Sequence, residues 1–318
     1  MKFKILVTGG AGFIGSNLVK TLLSLDQVKM VRVLDNLSTG HFKNLEELKD
    51  NSKFEFLEGD IRDFKTCKKA CEGIDLISHQ AALGSVPRSI IDPLTTNSVN
   101  ITGTLNVFQA AIEQGVKRVV FAASSSTYGD SKELPKIEDK IGKPLSPYAV
   151  TKYVNELYAE VFALTYGIEY VGLRYFNIFG PNQDPNGAYA AVIPLFFKAA
   201  LTNNPPIING DGSNSRDFTY VENAVTANLK ALFTENNAAI NSIYNIACEE
   251  QTSLLELWNH IKKITGTTTE CIFGPNRIGD IPHSLASIEK AKTLLAYNGD
   301  IKIKEGLELA YSWYKKNN

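Results

Sequence analysis

The sequence predicts an α/β fold in which a doubly wound parallel sheet is followed by a smaller α/β part. Strand-like apolar segments alternate with amphipathic helical segments from the start of the chain, which favours parallel strands joined by helices. A glycine-rich turn joins the first such strand to the first helix. Polar residues follow the ends of several predicted strands, where sheets of this kind bind ligands. We therefore expect a ligand site along one edge of the sheet.

Composition limits the classes of protein to which the chain can belong. It has 318 residues, of which 44% are apolar and 21% charged, and its formal net charge is -1. That length suffices for one large or two moderate domains with a substantial core. The near-neutral charge gives no reason to expect a nucleic acid or an anionic membrane as a partner. No apolar run approaches the roughly 20 residues that cross a bilayer, so we expect no membrane partner either.

The N-terminus and the cysteines indicate a reduced, cytoplasmic protein. The apolar run Ile5–Val7 stops at Thr8-Gly9-Gly10, shorter than the roughly 7–15 residues of a signal-peptide core, and is better explained as a buried strand. The four cysteines are Cys67, Cys71, Cys248 and Cys271, and neither a second cysteine pair nor a histidine pair accompanies them. Their spacing therefore favours neither a metal site nor a disulfide framework.

The first strand, Phe3–Val7, leads into glycines at positions 9, 12 and 15 and then into a helical segment. Glycines allow the backbone to turn tightly and to approach a pyrophosphate at a helix N-terminus, where free N–H groups and the helix dipole favour an anion. This arrangement is typical of the Rossmann type of doubly wound sheet. The turn predicts a dinucleotide site.

The second strand, Val31–Leu34, ends in Asp35, twenty residues after Gly15. A carboxylate at this place can bind both ribose hydroxyls of an adenosine and repel a 2′-phosphate. The following residues 36–39 include no arginine or lysine. The predicted cofactor is therefore NAD rather than NADP.

The next two predicted strands also end in polar or small residues. Phe54–Leu57 leads to Asp60, whose carboxylate can accept from the adenine amino group, and Asp75–Ser78 leads to residues 79–82. Ala81 and Ala82 are small enough for a dinucleotide to pass close to the backbone. We interpret His79 as a packed residue, since no carboxylate or nucleophile is spaced to work with it.

Two further segments carry candidate acid–base chemistry. A helical pattern over 93–114 precedes the strand Arg118–Phe121 and the serines 124–126. Farther on, Ser146 is a suitable helix N-cap and Pro147 a suitable first helical residue. Tyr148 and Lys152 then lie one turn apart on the same helical face. The lysine charge would favour the phenolate of Tyr148, and a serine hydroxyl beside it could carry the proton.

Residues 1–174 form the predicted NAD-binding domain and residues 175–318 the predicted substrate-binding part. A sixth strand, Glu169–Leu173, closes the first domain, and the pattern afterwards is rich in proline and glycine. Within 217–246, the segments Asp217–Val221 and Ile243–Ile246 have the pattern of strands that return to the large domain. A helix is predicted at Lys304–Lys315.

Taken together, these residues resemble the extended short-chain dehydrogenase/reductase family and, within it, the nucleotide-sugar 4-epimerases. The chain is most similar to the branch that acts on UDP-N-acetylglucosamine and its uronic acid. The resemblance runs from Lys4 to beyond Ser284. It rests on Thr8–Gly15, Asp35–Gly40, Gly59–Ile61, Ser124–Ser126, Tyr148 with Lys152, Leu173–Asn177 and Arg277–Asp280.

The resemblance implies tightly held NAD that is reduced and reoxidised within one turnover. Tyr148 would take the proton of the sugar 4-hydroxyl, Lys152 would hold the cofactor ribose and keep Tyr148 ionised, and Ser124 or Ser125 would share the proton. The 4-keto sugar would then turn over and take the hydride back on its other face. The implied cofactor-binding residues are Gly9, Gly12, Phe13, Ile14, Gly15, Asp35, Asn36, Leu37, Ser38, Thr39, Gly40, Asp60, Ile61, Gln80, Ala81, Ala82, Tyr148, Lys152 and Tyr175.

The resemblance also implies a UDP-sugar substrate and a homodimer formed through the helices of residues 93–114 and 148–166. Ser284 stands where epimerases for UDP-galactose often carry a tyrosine, and the smaller side chain leaves room for a 2-acetamido group. We expect preference for the acetamido sugar without exclusion of the smaller hexose. The implied substrate-binding residues are Gly84, Ser85, Ser124, Ser125, Tyr148, Asn177, Tyr189, Ala190, Val192, Asn209, Arg216, Arg277 and Ser284.

Several alternatives remain at this point. The uronic acid of UDP-N-acetylglucosamine is an equally compatible substrate, and a decarboxylase or a simple dehydrogenase would share the cofactor half. A nucleotide-sugar 4,6-dehydratase is disfavoured by the resemblance. That family has an acid–base pair of Asp and Glu where this chain has Ser125 and Ser126, and serine hydroxyls do not readily do that acid–base work. A non-catalytic NAD-sensing regulator would need neither Tyr148 nor Lys152.

Overall fold

The computed structural model describes residues 2–185, 187, 190–275 and 282–317. The strands are β1 (Phe3–Thr8), β2 (Val28–Asp35), β3 (Phe54–Glu58), β4 (Leu76–His79), β5 (Arg118–Ser124), β6 (Glu169–Tyr175), β7 (Ile178–Phe179), β8 (Ile207–Asn209), β9 (Ser215–Asp217), β10 (Thr219–Tyr220), β11 (Ser242–Ile246), β12 (Gln251–Ser253) and β13 (Ile272–Gly274). The helices are α1 (Phe13–Ser24), α2 (Phe64–Cys71), α3 (Val86–Ile91), α4 (Pro93–Asn97), α5 (Thr104–Glu113), α6 (Pro147–Tyr166), α7 (Val192–Leu201), α8 (Val221–Phe233), α9 (Leu254–Thr265), α10 (Glu289–Leu295) and α11 (Ile303–Asn317).

The centre of the molecule is a seven-stranded sheet in the order β11-β6-β5-β4-β1-β2-β3. Every neighbouring pair in it is parallel. The strand order reverses direction beside β1, so the carboxyl ends of β1 and β4 flank the crevice that doubly wound sheets use for ligands. The predicted fold class is confirmed.

Helices cover both faces of this sheet because successive strand side chains point to opposite faces. Ile5 and Val7 of β1 pack in one cluster with residues of α1, α8 and α10. Leu6 lies in the cluster on the other face, with residues of α2, α5 and α6. Two apolar layers therefore hold the strand ends rigidly at one edge, where the site lies.

The helical pattern predicted over 93–114 is a helix interrupted by a π-helical turn. α4 continues through Ser98–Gly103, which has π-helical hydrogen bonding, into α5. Such turns bend a helix and change the direction of its side chains. Here the turn carries Asn100, which exchanges hydrogen bonds with the backbone of Leu83, in the loop after β4, at 2.8 and 3.2 Å.

The second part of the chain has its own apolar cluster, formed by α7, α9 and α11 around Phe197, Trp258 and Tyr314. Three two-stranded sheets accompany it: β10 with β7, β12 with β9, and β13 with β8. β11, within the segment 217–246, lies at the edge of the large sheet, whereas Asp217 and Thr219–Tyr220 belong to two of the small sheets. α8 packs on the large sheet and joins the two parts.

Neither a membrane span nor a metal cluster is found in the described part of the chain. None of the helices in that part combines the length and apolarity that a bilayer crossing requires. The described residues also contain no group of three or more histidine, cysteine and carboxylate side chains placed to hold a metal ion.

Candidate active site

A cavity of about 580 Å³ opens at the carboxyl ends of the parallel strands. It extends from the end of β2 and β3, past the glycine turn and the end of β4, to the ends of β5 and β6. Its lining brings together residues as far apart in the sequence as Gly9 and Gln183. The predicted residues that line it are Gly9, Gly12, Phe13, Ile14, Gly15, Asp35, Asn36, Ser38, Thr39, Gly40, Asp60, Ile61, Gln80, Ala81, Ala82, Gly84, Ser85, Ser124, Ser125, Tyr148, Lys152, Tyr175 and Asn177.

The glycine turn forms an anion-binding end of α1. Gly9 has a φ of +69°, and a Cβ there would lie 2.6 Å from the backbone nitrogen of Ala81. A Cβ on Gly15 would lie 2.2 Å from the carbonyl oxygen of Gly9. α1 begins at Phe13 with Gly12 as its N-cap, and no side chain caps it. Its first N–H groups therefore remain available to an anion in the cavity.

Asp35 organises the turn from the neighbouring strand. Its carboxylate accepts the N–H of Ala11 at 2.9 Å and that of Leu37 at 2.8 Å, one on each oxygen. Burial raises the pKa of Asp35 while these bonds oppose the rise. Each oxygen keeps a lone pair that can accept from a ribose hydroxyl. Leu37 itself does not line the cavity, because its side chain packs against the hydrophobic core.

Asp60 lies beyond Asp35 at the same end of the cavity. Arg62 holds its carboxylate in a fork, with Nε at 3.0 Å and Nη2 at 2.7 Å, and Asn36 donates to it at 2.8 Å. These bonds lower the pKa of Asp60 to about 2. The carboxylate is therefore a fixed acceptor for a donor such as an adenine amino group.

The opposite end of the cavity is formed by the start of α6. Ser146 is its N-cap and accepts the N–H of Ala149 at 3.1 Å, and Pro147 is the first helical residue, so both predictions are confirmed. The hydroxyl of Ser89 accepts the N–H of Tyr148 at 3.0 Å. This first turn is therefore fixed both by its own cap and by α3.

Tyr148 and Lys152 face the same end of the cavity, one turn apart. The ammonium of Lys152 donates to the carbonyl oxygen of Ala122 at 2.8 Å. Burial lowers the pKa of Lys152 to about 8, against the opposing charge of Glu156. Burial raises the pKa of Tyr148, and a hydrogen bond with Ser124 lowers it. In the protein alone the phenol is therefore neutral near pH 7, and a further cation beside it would favour the phenolate.

Of the candidate serines, Ser124 contacts the phenol. Its Oγ accepts from the backbone N–H of Ser126 at 3.1 Å and from the Ser126 hydroxyl at 2.9 Å. Two accepted bonds occupy its lone pairs, so its own O–H is the donor left for the oxygen of Tyr148. Ser125 lines the cavity as well, but the hydrogen bond that lowers the pKa of Tyr148 comes from Ser124.

His79 is a packed residue, as we interpreted it. Its Nδ1 lies 2.7 Å from the hydroxyl of Thr8 and its Nε2 lies 2.9 Å from that of Thr104. Burial, followed by the charge of Lys152, lowers the pKa of His79 to about 3. The neutral ring therefore supports the end of β4, where the hydroxyl of Thr8 accepts the N–H of Ala81 at 3.3 Å.

The predicted sugar-side residues divide into three groups. Gly84, Ser85 and Asn177 line the cavity, and the amide of Asn177 donates to the carbonyl of Asp217 at 3.0 Å. Tyr189 and Arg277 lie outside the described residues. The remaining predicted residues are described but do not line the cavity: Ala190, Val192, Asn209, Arg216 and Ser284.

Some lining residues were not predicted. Gln183 lies on the loop after β7, and Tyr314 of α11 donates to its amide oxygen at 3.3 Å. Ala122 and Ala123 end β5, and their small size directly before the serines was an available sequence signal. The others are Leu34, Gly59, Leu83, Val86, Val99 and Ile178.

The residues present fit an NAD molecule. The uncapped N-terminus of α1 suits the diphosphate, and the lone pairs of Asp35 suit the adenosine ribose. A side chain at Gly9 or Gly15 would clash with neighbouring backbone atoms. The glycines therefore keep the space beside the N-terminus of α1 free for the diphosphate. The ammonium of Lys152 is placed at the other end of the same cavity.

Comparison with known proteins gives consistent matches over the chain. A model described as the NAD dependent epimerase/dehydratase family matches residues 5–247. A UDP-glucose 4-epimerase of Mycolicibacterium smegmatis is 35% identical over 314 residues, which cover 98% of each chain. The solved UDP-N-acetylglucosamine 4-epimerase from Methanobrevibacter ruminantium, in complex with UDP-N-acetylmuramic acid, is 37% identical, with a TM-score of 0.93 and coverage of 100% of both chains. The UDP-glucuronic acid 4-epimerase from Bacillus cereus, solved with UDP-glucuronic acid and NAD, is 33% identical, with a TM-score of 0.92 over 99% of this chain and 100% of that chain.

Proposed function

The chain belongs to the NAD-dependent epimerase/dehydratase family, and on that premise we propose that it interconverts UDP-N-acetylglucosamine and UDP-N-acetylgalactosamine. It is an NAD-dependent UDP-sugar 4-epimerase. In the proposed reaction, C4 of the sugar is inverted through a 4-keto intermediate. The substrate is the part that is proposed, because similar proteins act on the glucose, N-acetylglucosamine and glucuronic acid derivatives.

The observation that carries the proposal is the continuity of one cavity. Asp35 and the glycine turn lie at one end and Tyr148, Ser124 and Lys152 at the other. A dinucleotide bound along this cavity has its adenosine at Asp35 and its reactive end beside the phenol. A non-catalytic NAD sensor would need no acid–base group there.

The mechanism follows from the groups at the reactive end. Bound NAD supplies a hydride acceptor whose hydride returns to the sugar within the same turnover. Tyr148 takes the proton from the 4-hydroxyl, and Ser124 shares that proton through its hydrogen bond to the phenol. Lys152 would hold the ribose hydroxyls of bound NAD, and its ammonium lies 5.9 Å from the centre of the Tyr148 ring. When the opposite face of C4 is presented, Tyr148 returns the proton to the new 4-oxygen.

The acetamido sugar is favoured by space on the sugar side. Gly84 and Ser85 line the cavity, and a Cβ added to Gly84 would meet nothing within 4 Å. Ser284 is small and half-buried, and its N–H donates to the carbonyl of Ser215 at 3.0 Å beside β9. Because Ser284 does not line the cavity, its proposed place beside a 2-acetamido group rests on the sequence resemblance, and substitution of this residue tests it.

A homodimer is proposed from the exposed apolar side chains of α3, α4 and α6. Leu94 of α4 is 82% exposed and Leu164 of α6 is 81% exposed. Such exposure is unusual for leucines, and here it occurs on two helices that contact each other. A second copy of the chain would cover them in a four-helix arrangement. The exposed apolar residues are Val86, Ile90, Ile91, Leu94, Val150, Leu157, Tyr158, Val161, Leu164 and Tyr166.

The function is tested by proton NMR of purified protein with UDP-N-acetylglucosamine and, separately, with UDP-glucose, without added cofactor. We expect the anomeric signal of the galacto product to appear, faster for the acetamido sugar. Equal or faster turnover of UDP-glucose would overturn the proposed preference. No product from either sugar, followed by turnover of the 6-carboxylate of UDP-N-acetylglucosamine, would replace the substrate with the uronic acid.

A further inference from the structure

A fully buried amide lies beneath the reactive end of the cavity. Asn228 of α8 has no exposed surface. Its Oδ1 accepts from the hydroxyl of Ser78 at 3.1 Å and from the amide of Gln80 at 3.0 Å. Its Nδ2 donates to the phenol oxygen of Tyr175 at 2.7 Å and to the carbonyl of Ala224 at 2.8 Å. Every hydrogen-bonding capacity of the amide is thus used.

Two of these partners line the cavity, on either side of the strand that carries Ser124. Gln80 follows β4 and Tyr175 ends β6, and both are neighbours of β5 in the sheet. Tyr175 is also the direct register partner of Ser124. The Tyr175 hydroxyl donates in turn to the amide oxygen of Gln80 at 3.1 Å. Asn228, Gln80 and Tyr175 therefore form a closed triangle of hydrogen bonds that spans the end of β5.

We propose that Asn228 is a positioning residue for the nicotinamide half of NAD, acting through Tyr175 and Gln80. This rests on the proposed function only in taking NAD as the ligand. The adenosine end of the cavity is formed by β2 and β3, and β1 separates these strands from β4, β5 and β6, whose ends the triangle spans. The triangle therefore fixes the surface under the nicotinamide without touching the surface under the adenosine.

The triangle also separates the roles of Tyr148 and Tyr175, which both line the cavity. The proton of Tyr175 is committed to Gln80, and burial raises the pKa of Tyr175 to about 12. Tyr175 therefore stays a neutral, oriented group, whereas Tyr148 faces Ser124 and Lys152. Buried networks in which every member is satisfied rigidify the groups they join. Loss of Asn228 would leave Tyr175 and Gln80 held by fewer hydrogen bonds, those between the two side chains and from Gln80 to the Ser78 hydroxyl.

The test compares two ligands that differ only beyond the second ribose. NADH and ADP-ribose are titrated into cofactor-free protein by calorimetry, with wild type and Asn228→Ala. We expect NADH to bind about tenfold more weakly to the variant and ADP-ribose to bind within about twofold of wild type. Equal weakening of both ligands, or of neither, would overturn the inference.

A matched control lies on the same helix. Asn223 is also buried, but it bonds to the backbone of Ile301, at 2.7 Å as donor and 3.2 Å as acceptor, and to the Sγ of Cys248 at 3.3 Å. Neither of these partners lines the cavity. Asn223→Ala should destabilise the fold to a similar degree and leave the ratio of the two affinities within about twofold of wild type. A change in that ratio as large as that of Asn228→Ala would show that any disturbance of α8 has the same effect.

Two further variants keep the inference falsifiable if Asn228→Ala does not fold. Asn228→Asp keeps the shape but removes the donors to Tyr175 and to the carbonyl of Ala224, and it should show the same selective loss of NADH. When Tyr175→Phe is combined with either Asn228 variant, the loss of NADH affinity should be smaller than the product of the two single losses. The reason is that both changes break the same hydrogen bond, the one between Asn228 and Tyr175. Multiplicative effects would contradict action through Tyr175. Wild type that binds NADH but turns over no UDP-sugar would overturn the proposed reaction and leave this test valid.

Discussion

The side-chain nitrogen of Lys152 lies 5.9 Å from the centre of the Tyr148 ring while it donates to Ala122 at 2.8 Å. The lysine ammonium therefore hydrogen-bonds the end of β5 rather than the phenol. The direct contact of the phenol is with Ser124. The catalytic base of the proposed reaction, Tyr148 at the start of α6, is therefore positioned beside Ser124 at the end of β5 and near the ammonium of Lys152.

Ser124→Ala should lower kcat by about 10²- to 10³-fold, because it removes the hydroxyl that shares the proton with Tyr148. Ser125→Ala is the matched control, since Ser125 lines the same cavity. We expect it to lower kcat less than about fivefold. Rates measured by NMR for both variants decide the point, and a larger loss for Ser125→Ala would reverse the assignment.

Lys152 should make the stability of the cofactor-free protein depend on pH in the alkaline range. Its folded pKa of about 8 lies below the ordinary value of 10.5. Below pH 8 both states carry the proton. Between these values the unfolded chain keeps a proton that the folded protein has released, so the free energy of unfolding rises with pH.

The Lys152→Met variant removes the titrating amine, and with it this dependence of the free energy of unfolding on pH. Methionine has a side chain of similar length, so the variant serves as the reference. The free energies of unfolding of the two proteins are measured in urea at about pH 7 and about pH 9.5. We expect the wild type to gain stability relative to Lys152→Met as the pH rises. An identical difference at both pH values would mean that burial does not lower the pKa of this lysine.

Ser284→Tyr should favour the plain hexose over the acetamido sugar. We expect the KM for UDP-N-acetylglucosamine to rise about tenfold and that for UDP-glucose to change less than about twofold, because the added ring takes the volume of the acetamido group. Ser284→Ala is the control and should change neither. Unchanged kinetics of the acetamido sugar in Ser284→Tyr would exclude this residue from the sugar pocket.

Charges on the exposed face of α6 should dissociate the proposed dimer. Wild type should sediment at twice the 35.0 kDa chain mass, and Leu157→Glu with Leu164→Glu should sediment at that mass. Leu309→Glu on α11, where the leucine is 48% exposed, is the control for a charge on another apolar surface residue. A monomeric wild type, or a double variant that stays dimeric, would contradict the proposed interface.

The sequence predicted those parts of the site that depend on short spacings. The glycine turn, Asp35 at the next strand end and Tyr148 with Lys152 each lie within one strand–turn–helix unit, so local rules suffice. The confirmed N-cap at Ser146 is of the same kind.

Features that depend on contacts distant in the chain were not predicted. Asn228 meets Gln80 across 148 positions, and Gln183 reaches the cavity only because the loop after β7 packs beside α1 and α11. One signal for Asn228 was present: it interrupts the apolar face formed by Ala224, Ala227 and Ala231 of α8. The choice of Ser124 over Ser125 likewise needed the geometry of the turn after β5.

The most direct test of the central claim follows the hydrogen at C4 during epimerisation. UDP-N-acetylglucosamine deuterated at C4 is incubated in ordinary water without added cofactor, and the product is examined by NMR and mass spectrometry, with Tyr148→Phe as the inactive control. We predict that the product keeps its deuterium at C4, because the hydride leaves and returns within one active site. Loss of the label to solvent, or full activity of Tyr148→Phe, would contradict the mechanism.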